Sequence, residues 1–278
     1  MKKLITSIIA IFVFGITGYS QINDDPSTSA KIKAVESEIG TIKTSIDLTQ
    51  VLDDKVPVII KPDPFKKDTV IYRMPKVIPG TYAISDFGNF IEEFKAFNIE
   101  GEELEVNHTD ENSWVIINAT ELDKITYLVN DTFDVENTGE IATPFSPSGT
   151  NISEDNFVLN FPGFIGYFET FEHNQYKVNI TAHSSFNNSS ALQQVGEEFS
   201  KDSLKVTRNY YAPRYFDVQD NPMMYGDFDI EEFQVGDIKV VLSVYSPNKI
   251  YTAEDLKGIV FEMMDAQKKY LGDINTTA

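Results

Sequence analysis

From position 41 to 248 the chain is a succession of short apolar and β-branched runs broken by turn residues, and the spacing of a helix is absent from this region. Ile42, Thr44, Ile46 and Leu48 alternate with Lys43, Ser45, Asp47 and Thr49, the period of two that puts one side of a strand in a core and the other in water. Further runs lie at 56–60, 69–74, 90–98, 102–107, 113–118, 124–130, 156–161, 176–182, 204–211, 229–235 and 238–245. Turn signals such as Glu100-Gly101 and Asp110-Glu111-Asn112 separate neighbours. Closely spaced strands without crossover helices predict a mainly β fold, an antiparallel sandwich or saddle.

One segment breaks that pattern. Thr252 followed by Asp255 has the form of a capping box, with Glu254 and Asp255 where the helix dipole favours negative charge. Leu256, Ile259, Val260, Met263, Met264 and Leu271 then recur every three or four residues. Lys268 and Lys269 fall in the last turn and Gly272 stands at the stop. A long amphipathic helix is expected within 249–278.

The N-terminus reads as a targeting segment. Lys2 and Lys3 precede an apolar run over 4–15, shorter than the about 20 residues a membrane-spanning helix needs. We expect a signal peptide at 1–20, a polar leader at 21–40, and export to the periplasm or the medium. No second apolar run is long enough to span a membrane. Charge narrows the partners further: 23 Lys+Arg against 43 Asp+Glu give a net charge of −20. Such a surface repels phosphate backbones and anionic membranes, so no nucleic-acid partner is expected. The absence of cysteine excludes disulfides, thiol nucleophiles and Cys-ligated zinc.

Local motifs offer no catalytic constellation. The three histidines, His108, His173 and His183, are scattered, and none forms the H-E-x-x-H pair that sets two imidazoles on one helix face. Ordinary surface or strand histidines explain them. With so many carboxylates, neighbouring pairs such as Glu92–Glu93 and Glu197–Glu198 are expected as solvated faces rather than glycosidase acids. Asp86-Phe87-Gly88 spells a kinase tripeptide without the catalytic loop that gives it meaning. More distinctive is the stretch Pro75-Lys-Val-Ile-Pro79-Gly80-Thr-Tyr82. Two prolines withhold backbone donors, so the chain must leave the sheet there. The Pro79-Gly80 turn is expected to throw Tyr82 and Phe87 back onto it. Trp114 is expected as a core anchor on a strand.

Taken in order, these residues resemble the glycyl aminopeptidase family of zinc metallopeptidases. Met74-Pro75-x-Val77-x-Pro79-Gly80-x-Tyr82 with Phe87 resembles its P-x-W-x-P-G-x-Y segment, with Val77 where the family usually has Trp. Glu100-Gly101 through Trp114 resembles its following hairpin, Asp220-Asn221-Pro222 with Gly226 its D-S-P…G segment, and 255–272 the helix that opens its catalytic domain. The likeness runs over about 70–272. It implies an N-terminal β domain over 41–248 and the first helix of a thermolysin-like domain over 249–278, in a family that often adds a PDZ domain. Zinc and the general base would belong to a catalytic domain beyond Ala278, so no catalytic residue, metal ligand or cofactor is assigned within this chain. Pro75, Pro79, Gly80, Tyr82, Trp114, Asp220 and Pro222 are expected in structural roles.

Two functions follow. In the first, the chain is the non-catalytic portion of an exported aminopeptidase-like peptidase, with a C-terminal catalytic domain as partner and a peptide as the full-length substrate. In the second, it is a free-standing β module that binds peptide or glycan. The helix discriminates between them: the first leaves the Leu256, Ile259 and Met263 stripe largely exposed, whereas the second docks it on the sheet.

Overall fold

The computed structural model describes residues 40–133 and 148–272. The expected signal peptide, nearly all of the polar leader and the final residues lie outside them. The described residues divide into two compact units, one ending at Tyr225 and the other beginning at Gly226.

The first unit is built from β1 (Thr41–Asp47), β2 (Lys55–Pro62), β3 (Thr69–Arg73), β4 (Ile91–Asn98), β5 (Glu103–Leu104), β6 (Val106–Asp110), β7 (Ser113–Ile117) and β8 (Leu122–Asn130). It continues with β9 (Asn151–Ile152), β10 (Asn156–Leu159), β11 (Tyr167–Phe168), β12 (Gln175–His183), β13 (Asn187–Ser190), β14 (Gln193–Phe199), β15 (Lys205–Ala212), the short helix α1 (Tyr215–Gln219) and β16 (Met223–Gly226). An eight-stranded sheet runs β14-β15-β12-β1-β2-β8-β4-β5, and two four-stranded sheets run β13-β16-β10-β9 and β11-β3-β7-β6.

Alternation decides which face is inside. Ile42, Thr44 and Ile46 of β1, Val56, Val58 and Ile60 of β2, and Tyr176, Val178 and Ile180 of β12 are buried. These inward faces join one contiguous core with Phe87, Trp114, Phe161, Phe164 and Phe168. By contrast every residue of β10 and β16 is buried, the mark of strands covered on both faces.

Pairing within the large sheet is antiparallel except that β1 and β12 run parallel, with Ile42 opposite Tyr176 and Ile46 opposite Ile180. The neighbouring pairings of β1 with β2, β2 with β8 and β12 with β15 are antiparallel, as expected, and this parallel pair is the departure. No tight hairpin joins strands so far apart in sequence, so turn geometry does not dictate their relative direction. The expected strand over 102–107 is two strands: Leu104 pairs with Ala96 of β4, whereas Val106 pairs with Ile116 of β7. The chain changes partner between them.

Buried tyrosines pin one segment from inside. Tyr127 Oη donates to the Phe164 carbonyl at 2.8 Å, so the 2.9 Å contact between Tyr72 and Tyr127 has Tyr72 as donor. Tyr72 Oη in turn accepts from Gly166 N at 2.8 Å. Tyr215 Oη donates to the Ile165 carbonyl at 2.7 Å. Burial raises the pKa of Tyr72, Tyr127 and Tyr215 above the ordinary phenol value, so all three remain protonated donors. Gly166 is required where it stands, because a Cβ there would lie 2.2 Å from the Arg73 carbonyl oxygen.

The second unit holds the hairpin β17 (Asp229–Val235) and β18 (Ile238–Val244), turning at Gly236 with φ 61°, and the helix α2 (Ala253–Leu271). Thr252 and Asp255 form the expected capping box: Thr252 Oγ1 accepts from Asp255 N at 3.2 Å and Asp255 Oδ2 accepts from Thr252 N at 3.0 Å. Gly272, at φ 83°, donates its N–H to the Lys268 carbonyl. Ala253, Val260, Leu256 and Met264 pack with Leu242, Val244 and Phe233, and Lys257 bonds Glu231 at 2.7 Å. The helix thus splits its apolar residues between two faces. Ile259 is 69% exposed and Met263 37%, as are Tyr270 at 90% and Leu271 at 64%. Among the described residues no helix is long and apolar enough to cross a membrane.

Candidate functional site

The segment between β3 and β4 is the one the prolines single out, and its base is rigid. After Arg73 the backbone leaves the sheet at Pro75, whose carbonyl accepts from Phe87 N. The Lys76 carbonyl accepts from both Ser85 N and Asp86 N, at 2.8 and 3.1 Å. These contacts close a loop over residues 75–87. At its far end Pro79-Gly80 turns the chain, with Gly80 at φ 93° and Thr81 bonded back to the Ile78 carbonyl through its N and its Oγ1.

Asn112 clamps the base from the neighbouring β6–β7 turn. Its Oδ1 accepts from Gly88 N at 3.0 Å and its Nδ2 donates to Asp86 Oδ1 at 2.8 Å. Asp86 itself has φ 44°. A Cβ on Gly88 would sit 1.9 Å from the Glu111 carbonyl oxygen, so glycine is what lets the loop base approach that turn.

The structure divides the two aromatic residues expected to fold back together. Phe87 is fully buried in the core. Tyr82, however, is 100% exposed at φ 55°, which corrects the expectation that it returns to the sheet. The turn at Gly80 carries it outward, and the chain rejoins the core only after Asp86. Val77 and Ile84 are also exposed, at 44% and 58%. A left-handed backbone is unfavourable for a bulky residue; here it holds a whole aromatic ring in water, on a loop that also exposes two aliphatic side chains.

Trp114 is 4% exposed and stacks between His108 and Phe94, at centroid distances of 4.8 and 4.7 Å. Asp220 and Pro222 stand far along the chain from this loop, where α1 ends. Asp220 N donates to the Phe216 carbonyl and the Pro222 carbonyl accepts from Ser190 Oγ. Partial desolvation, with the Asp217 charge second, raises the Asp220 carboxyl pKa. The residues singled out in the sequence therefore form a loop and its supports, plus a separate helix stop. The Asn112 clamp escaped sequence reasoning; its only signal was the Asp110-Glu111-Asn112 turn.

A zinc ion would not fit the described residues. His108 lies flat on Trp114, His183 stands edge-on to Phe186, and His173 is exposed in a turn. No group of three or more His, Asp or Glu able to hold a metal occurs among the described residues.

Among solved structures the chain is similar to an aminopeptidase N family protein from Idiomarina loihiensis, with TM-score 0.66 and 18% identity, over 82% of this chain and 36% of that one. That likeness shows the fold. Weaker likenesses are to Legionella pneumophila aminopeptidase A in complex with aspartic acid (TM-score 0.46, 11% identity, 83% of this chain and 26% of that one) and to the M1 zinc metallopeptidase from Deinococcus radiodurans (0.43, 10%, 84% and 53%). At those scores they carry no argument. No curated protein sequence matches this chain. Residues 43–227, which span β1 through the end of β16 and include the loop, its Asn112 clamp and the Asp220 helix stop, match the Peptidase M61 N-terminal domain, and to that family the chain belongs.

Proposed function

We propose that this chain is the N-terminal, non-catalytic portion of an exported aminopeptidase-like zinc metallopeptidase, and that it packs on a catalytic domain and walls one side of the peptide cleft. The observation that carries the reading is the family match over 43–227. The 75–87 loop supports the finer part. It is rigid at its base and apolar at its tip, and it places Val77 in the open where the family usually has Trp. A fully solvated aromatic on a fixed, unfavourable backbone is what a surface waiting for a second body would present.

In this role the chain's residues position rather than react. Asn112 and the Lys76 carbonyl hold the loop base; Tyr82, Val77 and Ile84 form the wall. The strongly acidic surface would attract the cationic amino end of a peptide. Zinc, held by the catalytic domain, would supply the Lewis acid and the activated water of hydrolysis.

The test has two stages. The purified chain is assayed for bound zinc and for turnover of glycyl and alanyl chromogenic substrates. We expect neither, and stoichiometric zinc with chelator-sensitive turnover overturns the non-catalytic reading. In a product that also carries the catalytic domain, Tyr82→Ala should raise KM several-fold with little change in kcat. Unaltered KM would remove the loop from the cleft.

A further inference from the structure

The outer face of the eight-stranded sheet carries a row of like charges. Lys177 of β12 stands opposite Lys43 of β1, and Lys43 opposite Lys61 of β2. Lys124 of β8 continues the register set by Ile60 and Ile125, so it follows Lys61 on the next strand. The neighbours Ile42, Ile60, Ile125 and Tyr176 are buried in the core, which turns the four lysines to the solvent side. At a strand spacing of about 4.8 Å the row is about 14 Å long. An aromatic ring stands at each end. Tyr211 is opposite Lys177, and Phe97, opposite Lys124, has that ammonium 5.6 Å from its ring centroid.

Fold stability does not account for the row. Like charges directly opposite one another destabilise a sheet, and this chain has 43 Asp and Glu with which to neutralise 23 Lys and Arg. Lys61 uses one of them, Asp123 at 3.0 Å. Among the described residues neither Lys43 nor Lys177 has a carboxylate within ion-pair distance. An anion laid along the row would supply what the fold withholds. Burying the row under a further domain would instead strip water from unpaired ammonium groups, so the face suits a hydrated, polar ligand.

Spacing selects the anion. An extended peptide repeats its same-face side chains about every 6.7 Å, out of step with the strands. An acidic helix fits the step better but needs an apolar strip to cover. The next row is Asn209, Asn179, Ser45, Ile59 and Thr126, amides and hydroxyls around one aliphatic side chain. Those groups match sugar hydroxyls, and one strand spacing is close to the length of one pyranose unit. The flexible lysine stems can follow carboxylates that alternate between the two edges of a glycan ribbon.

We propose that this face binds a linear polysaccharide of uronic acid units, laid across β12, β1, β2 and β8 with successive carboxylates on successive lysines. The net charge of −20 opposes any polyanion at a distance, but that field is screened beyond about 8 Å at physiological salt. Binding is therefore modest and made at contact. The inference goes beyond the peptidase reading and does not depend on it, since neither zinc nor activity enters the test.

Affinity electrophoresis of the purified chain in gels containing polygalacturonate should show retardation, with neutral dextran giving none. Lys43→Gln combined with Lys177→Gln should weaken the interaction about tenfold, with an unchanged far-UV circular dichroism spectrum. The same variant should unfold at a slightly higher temperature without ligand, because two like charges have left the row. Lys239→Gln combined with Lys269→Gln removes the same charge from the second unit and should bind as the parent does. No retardation of the parent overturns the proposal, as does equal loss in the two double variants. Equal or stronger retardation by dextran sulfate or single-stranded DNA overturns it too, since the row would then take any polyanion.

Discussion

Residues 40–225 and residues 226–272 treat their apolar side chains differently. In the first unit every sheet contributes to one continuous core, and the inward hydroxyls of Tyr72, Tyr127 and Tyr215 are bonded to one another or to backbone. The second gathers Leu242, Val244, Ala253 and Val260 in one small cluster and buries Phe228 and Val235 besides, and it leaves Ile259, Tyr270 and Leu271 mostly in water. The lesson is that the same composition of residues can complete a domain or advertise an interface, depending on whether a second layer is present to cover it.

That contrast can be broken by paired substitutions. Ile60→Ala, at a fully buried site on β2, should cost about 4 kcal/mol in urea unfolding. Gly166→Ala should cost about 3 kcal/mol, because the added methyl meets the Arg73 carbonyl and the Tyr72 ring and the tyrosine chain cannot relax around it. Asn112→Ala should cost about 2 kcal/mol by leaving Gly88 N buried without an acceptor, and should increase hydrogen exchange across 75–87 before global unfolding. At the other extreme Ile259→Ala should change monomer stability by less than about 0.5 kcal/mol. A cost near that of Ile60→Ala would mean that the exposed face of α2 is covered in the folded monomer, and the comparison would collapse.

The smallest effect concerns pH. Hydrogen bonds from the Thr252 side chain and then from its backbone lower the Asp255 carboxyl below its ordinary 3.8. A carboxylate with a depressed folded pKa stabilises the helix start above the unfolded value and loses that contribution as pH falls through the folded one. Helix content by circular dichroism should therefore decline slightly at the acid end of a titration. Asp255→Asn should remove that pH dependence, and an unchanged slope in this variant would assign it to other carboxylates.

How much of this was legible beforehand varies with the range of the interaction. The strand runs at 42–48, 56–60, 69–74 and 176–182 could be read because one face is buried and alternation records it. Both ends of α2 could be read because a cap is made within four residues of itself. Neither β13 nor β14 could: Asn187–Ser190 and Gln193–Phe199 carry almost no buried side chains, so their pairing is recorded in backbone bonds that leave no pattern in the sequence. The loop was visible through its prolines, yet its outcome was not, since the direction of Tyr82 depends on where the chain rejoins the core.

By itself, then, the sequence determined the β character, the helix and its caps, and the ordered residues by which the family is known, all of which rest on local periodicity and local hydrogen bonds. The tertiary structure alone decided the parallel meeting of β1 and β12, the tyrosine chain across 164–166, the Asn112 clamp, and which apolar face of α2 stays in water. Each of these depends on partners brought together from distant positions, and no window of neighbouring residues encodes the geometry of such a meeting.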